Sequence, residues 1–170
     1  IFGMRKAFDR GENAMELVRK NMRSCKNDDI AILIAYDLQA GGALNCGRKA
    51  AQANPEAKDP WCQQLASILE SIVTPNCSLL EVGCGEAVTL AGMIQKLRIK
   101  PIQVLGFDIS WSRINQGILW LKEQKANASL FVADLFQIPL ENDSVDIIYT
   151  SHSLEPNGCH EEKMLRELLR

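Results

Sequence analysis

The sequence lacks a long apolar run, a paired-cysteine motif and an excess of positive charge, and each absence removes a class of function. Its longest apolar stretch, Ile30 to Ala35, falls far short of the roughly 20 residues that span a bilayer. The N-terminus has no charged-then-apolar signal pattern, so a cytoplasmic protein is expected. Six cysteines (Cys25, Cys46, Cys62, Cys77, Cys84, Cys159) include no Cys-x-x-Cys pair. Neither a structural zinc site nor a secreted disulfide framework is therefore expected, and the thiols read as reduced and mostly buried. With 19 Lys and Arg against 21 Asp and Glu, the net charge is −2, and no overall field exists to hold a polyanion. Nucleic acid is not an expected partner. The basic residues near the N-terminus, Arg5, Lys6, Arg10, Arg19, Lys20 and Arg23, alternate with Asp9, Glu12 and Glu16, the pattern of a solvated helix face.

What is present suffices for one folded core: 170 residues, 46% of them apolar and 24% charged, the balance of an ordinary globular domain. Residues 1–75 read as a helical segment or lid. Asp28 or Asp29 is a candidate cap for a helix through Ile30 to Leu38, with Gly41-Gly42 as its stop. Residues 45–58 read as loop. Asp59-Pro60 opens a helix reaching Val73, with Trp61, Leu65, Ile68 and Ile72 on its expected buried face.

From Ser78 onward, short apolar runs alternate with amphipathic stretches, the signature of βα units and a parallel sheet. Strands are expected at Leu79–Val82, Val104–Phe107, Leu130–Val132 and Val145–Tyr149. Helices are expected at Val88 to Arg98, with Leu90, Ala91, Ile94 and Leu97 inward, and after an N-cap at Ser110, with Ile114, Ile118 and Leu121 inward. A last helix runs from Glu161 to Arg170, with Met164, Leu165, Leu168 and Leu169 on one side.

The first strand ends in Glu81-Val82-Gly83-Cys84-Gly85-Glu86-Ala87, a glycine turn suited to a nucleoside-sized ligand. A dinucleotide site wants a third glycine where Val88 stands, and a phosphate loop wants Gly-Lys-Ser/Thr. Neither pattern is met, and Glu86 opposes a phosphate at the helix start.

The stretch Leu79 to Ala87 resembles motif I of the class I S-adenosylmethionine-dependent methyltransferases. Val104-Leu105-Gly106-Phe107-Asp108-Ile109-Ser110 is similar to that family's second strand and its ribose-binding acid, with Asp108 lying 23 residues after Gly85, near the usual interval. Phe131-Val132-Ala133-Asp134-Leu135 resembles the adenine-contacting motif, and Pro139 to Tyr149 the run into strand four. The resemblance implies an α/β, Rossmann-like three-layer sandwich with a mostly parallel sheet in the order 3-2-1-4, preceded by the helical segment. Residues 76–170 are then a partial S-adenosylmethionine-binding domain.

It also implies S-adenosyl-L-methionine as cofactor, contacted by Glu81, Gly83, Gly85, Asp108, Ile109, Asp134, Leu135 and Ser151. Each acid has a plainer alternative: a helix cap for Asp108, a turn residue for Asp134, a strand-end carboxylate for Glu81. Glu86 is either a cap or a cofactor contact. Tyr36-Asp37 loosely resembles an element that covers the cofactor in small-molecule members.

His152, after strand four, is the candidate general base, with Glu155 second; the alternative is a loop histidine. No Asn/Asp-Pro-Pro-aromatic motif, paired-Glu loop or metal-binding triad is present, which leaves a small-molecule methyl acceptor and no metal. Seven strands are usual in the family, and four are expected here. The fourth strand then has an open edge, to be covered by further chain or by a second subunit such as a homodimer partner. The chain also starts at Ile1 and not at Met. A cofactor-binding but catalytically incompetent fragment or structural partner is the alternative function.

Overall fold

A computed structural model describes residues 12–21, 28–40, 47–151, 153–154 and 160–170. His152, Glu155, Gly41-Gly42, Cys25, Cys46 and Cys159 lie outside the described residues, as do the side chains of Asp28 and Asp29. The elements are α1 (Ala14–Asn21), α2 (Asp28–Gln39), α3 (Arg48–Ala53), a 3₁₀ turn (Pro55–Lys58), α4 (Asp59–Leu69), β1 (Ser78–Val82), α5 (Val88–Lys96), β2 (Gln103–Asp108), α6 (Trp111–Gln124), β3 (Ser129–Val132), β4 (Ile147–Thr150) and α7 (Glu161–Leu168).

The four strands form one parallel sheet in the order β3-β2-β1-β4. Register pairs Leu80 with Leu105 and with Ile148, so apolar side chains align across the strands on each face. On one face Leu79 and Val104 meet Leu90, Met93 and Ile94 of α5, Ala66 and Leu69 of α4, and Trp120 and Leu121 of α6. On the other, Leu80, Val82, Leu105 and Phe107 meet Leu135 and Ile138 from the β3–β4 connection and Met164 of α7. Each such buried Leu or Phe contributes about 1.5–3 kcal/mol. The start of β1 is fixed by Asp146, whose Oδ2 accepts from the Ser78 N–H at 2.7 Å and from its hydroxyl at 2.8 Å. Ser78 Oγ in return accepts from the Asp146 N–H at 3.0 Å.

Four expectations are corrected. Residues 45–58 hold α3 and the 3₁₀ turn, with Ala51 buried. Helix α4 ends at Leu69 and buries Cys62, Ala66 and Leu69, while Trp61, Ile68 and Ile72 are exposed. The cause is close approach: a Cβ on Gly92 of α5 would lie 2.6 Å from Cys62 Sγ, and only small residues allow helices so near. On α6 the same logic turns Gly117 inward against Ala87 and leaves Ile118 exposed. On α7, Met164 is buried whereas Leu165 and Leu169 are exposed.

The strand order reverses direction at β1, with β2 on one side and β4 on the other. The crevice beyond the C-terminal ends of these strands is where open α/β sheets bind ligands. In this chain it is bounded by the turn after Val82, by Asp108 to Ser110, and by Ser151.

Candidate active site

The turn leaving β1 is bent tightly. Gly83 and Gly85 have φ of +67° and +56°, and Ala87, which starts α5, has φ of +55°. A non-glycine residue held there marks a turn over-determined by its surroundings. The Cys84 N–H donates to Phe107 O at 2.8 Å and the Ala87 N–H to Cys84 O at 2.8 Å, which anchors the loop to β2 and to itself.

Asp108 ends β2 and is buried. Its Oδ2 accepts from the Gly85 N–H at 3.0 Å, and its Oδ1 accepts from the Ser110 N–H at 2.9 Å. Ser110 caps α6 as expected, its hydroxyl accepting from the Arg113 N–H at 3.2 Å. That hydroxyl also donates to Asp37 Oδ1, joining α2 to the site. Arg113, one turn into α6, places Nη1 3.7 Å from Asp108 Oδ2 and its guanidinium 5.8 Å from the centroid of the Tyr36 ring.

Glu81 is buried on β1, in register with Tyr149 of β4. Burial first, and then the charge of Glu81, push the Tyr149 phenol well above its usual range. The Cys84 thiol is pushed up by burial, then by Glu81 and Asp108. Both groups stay protonated at neutral pH. Cys84 is therefore a packing residue and not a nucleophile.

Glu86 does not cap α5, which has no side-chain cap bond, but reaches a distant helix. Its buried carboxylate accepts from the N–H of Arg48, the first residue of α3, at 2.6 Å, where an acid is favoured by the helix dipole. The Arg48 guanidinium in turn reaches Glu123 and Gln116 of α6. Helix α3 is thereby tied to both the glycine turn and α6.

Asp134 is exposed, with Oδ1 accepting from the Phe136 N–H at 2.8 Å, the bond of a turn residue. Leu135 is buried in the core, Ile109 is exposed at the crevice, and Ser151 is partly buried after β4. The structure thus brings Glu81, Gly83, Gly85, Asp108 and Ile109 to the strand ends, with Asp134 and Leu135 beyond β3. Arg113 and Ser153 were not foreseen. Ser153 donates to Val82 O at 3.0 Å and packs over Gly83. Arg113 carries no sequence signal beyond a basic residue near a helix start.

A family model for the methyltransferase domain matches residues 79–170, more than half of the chain. The chain belongs to the methyltransferase domain family. Its fold is the class I fold of S-adenosylmethionine-dependent enzymes. Similar solved structures include a SAM-dependent methyltransferase from Aquifex aeolicus, at 18% identity and TM-score 0.55, covering 69% of this chain and 61% of that one. YcgJ of Bacillus subtilis matches at 17% identity and TM-score 0.54, covering 65% and 45%. A methyltransferase in complex with the Trm112 activator of Haloferax volcanii matches at 17% identity and TM-score 0.55, covering 71% and 51%. The chain spans about half the length of the solved structures it resembles. No curated protein matches it. Among the described residues, no helix is long and apolar enough to cross a membrane.

Proposed function

We propose that this methyltransferase domain binds S-adenosylmethionine in the crevice at the ends of β1, β2 and β4 and serves methyl transfer to a small-molecule acceptor in the cytoplasm. The observation that carries the proposal is the Asp108 carboxylate. It is held by two backbone N–H groups on opposite oxygens, yet a carboxylate has about four acceptor sites. Two sites remain for a pair of vicinal hydroxyls.

The other residues fit the same ligand. Gly83 and Gly85 bring backbone close to it without side chains, Ile109 offers an exposed apolar surface for a purine, and Asp134 retains acceptor capacity for an exocyclic amine. Glu81, buried on β1 two residues before Gly83, is proposed as a further cofactor contact at the strand end. The cofactor, when bound, supplies an electrophilic methyl group on a sulfonium. The chain's part is to position it, and alignment with an acceptor supplies much of the rate in such displacements. His152 follows Ser151 at the crevice mouth in sequence and is the proposed base for a protonated acceptor.

Isothermal titration of the full chain with S-adenosylmethionine tests the reading. Saturable binding that Asp108→Ala abolishes supports it, and absence of heat with the intact chain overturns it. A screen of small acceptors with methyl-labelled cofactor then identifies the substrate.

A second reading has its own observation. Among the described residues β4 pairs only with β1, and a groove of about 470 Å³ runs along β4 and α7, lined in part by Leu140, Val145, Leu165, Leu168 and Leu169. An open strand edge beside apolar side chains is a pairing surface. It favours a cofactor-binding subunit completed by a partner, either further chain or a second copy.

A further inference from the structure

We propose that Arg113 is a resident competitor for the hydroxyl-binding face of Asp108, so that its displacement sets how tightly the site holds a nucleoside. The inference rests on the reading of Asp108 as the acid that takes the ribose.

The guanidinium stands where that ligand has to enter. A Cβ on Gly85 would collide with it, so it lies directly on the face of the turn that glycine leaves bare. Its Nη1 is 3.7 Å from Asp108 Oδ2, beyond hydrogen-bond length but close enough to balance the charge of an acid that is 7% exposed. The Arg113 side chain is itself only 13% exposed. The Tyr36 ring flanks the guanidinium at 5.8 Å. Arg113 thus covers the two features a nucleoside needs, the acid and the bare backbone.

The geometry also makes the contact exchangeable. Asp108 is fixed by the N–H groups of Gly85 and Ser110 and does not depend on Arg113 for its orientation. An arginine can swing on its long stem and carry its charge to solvent. A ligand with vicinal hydroxyls replaces an ion pair without direct hydrogen bonds by neutral donors that do bond. Apparent affinity is then the intrinsic affinity reduced by the fraction of molecules with Arg113 withdrawn.

The test is calorimetric titration of the full chain with adenosine, a neutral probe that carries the hydroxyls without the methionine part. Arg113→Met keeps the stem and removes the charge, and its expected effect is a gain in affinity on the order of tenfold. Arg113→Lys, which keeps a charge, is expected to bind near the intact chain. Asp108→Asn is expected to lose at least about tenfold. Weaker or unchanged binding by Arg113→Met, with its melting temperature retained, overturns the proposal and makes the guanidinium a ligand contact or a bystander. If Asp108→Asn binds like the intact chain, the ribose-acid reading fails instead. If the intact chain and Arg113→Met both bind nothing, the site itself is wrong.

Discussion

The carboxylate of Asp108 accepts a hydrogen bond from the backbone N–H of Gly85 at 3.0 Å, so the end of β2 holds the turn that leaves β1. One side chain therefore orients the loop and is itself oriented by it. Asp108→Asn keeps the size but turns an acceptor into an amide with one donor end. In either flip, one N–H of Gly85 or Ser110 faces a second donor. The expected cost is about 1–3 kcal/mol of folding stability, read from urea unfolding, alongside the loss of nucleoside affinity. Lost binding at unchanged stability would mean that the backbone bonds contribute little.

Glu86 and Arg48 make a separate prediction about the cover of the site. The Glu86 carboxylate caps α3 from 38 residues away, so removing it should loosen α3 and leave the sheet intact. Glu86→Ala is expected to lower stability by about 1–2 kcal/mol and to speed amide exchange over residues 48–53. Glu86→Gln, which keeps an acceptor, should recover most of the protection. Faster exchange spread evenly over β1 and β2 would place the role of Glu86 in the core instead.

The order of strands and helices from Ser78 onward, the Ser110 cap and the positions of Glu81, Gly83, Gly85 and Asp108 were legible because they depend on local pattern: apolar runs, turn glycines and cap chemistry. The facing of α4 was not. Its sequence carries two apolar stripes one residue apart, and size favours Trp61, Ile68 and Ile72 as the inner one. Close packing against Gly92 selects Cys62 and Ala66 instead, and that choice belongs to the helix pair. Arg113 was illegible for a related reason: its meaning comes from Gly85 and Asp108, which sit 28 and 5 residues earlier in the sequence. Asp134 was legible only as a pair of alternatives, and its bond to the Phe136 N–H satisfies the turn role while leaving the ligand role to experiment.

Asp146 gives a pH dependence whose sign is fixed. Hydrogen bonds from the Ser78 N–H and hydroxyl hold its carboxyl below the usual range. A carboxylate depressed by folding contributes stability that is present above its unfolded pKa of about 3.9 and fades as pH falls through the folded value. Asp146→Ala should therefore melt below the intact chain at pH 7, with the gap closing as pH falls below about 4. A gap that is constant from pH 7 to pH 2.5 would assign the effect to strand geometry and not to charge.

Gly83 and Ser153 provide a cycle that reports where the segment after β4 sits. Gly83→Ala forces an alanine to φ near +67°, at a cost of about 1–2 kcal/mol, and drives its Cβ into the Ser153 side chain. Ser153→Gly removes that side chain and the bond to Val82 O, a loss of about 1 kcal/mol. The double variant keeps the backbone strain but not the collision, so it should be more stable than the sum of the single changes predicts, by about 1 kcal/mol or more. Urea unfolding of the four proteins measures this directly. Additive costs would mean that residue 153 lies off the glycine turn in solution, and the wall of the crevice formed by the end of β4 would then need another side chain.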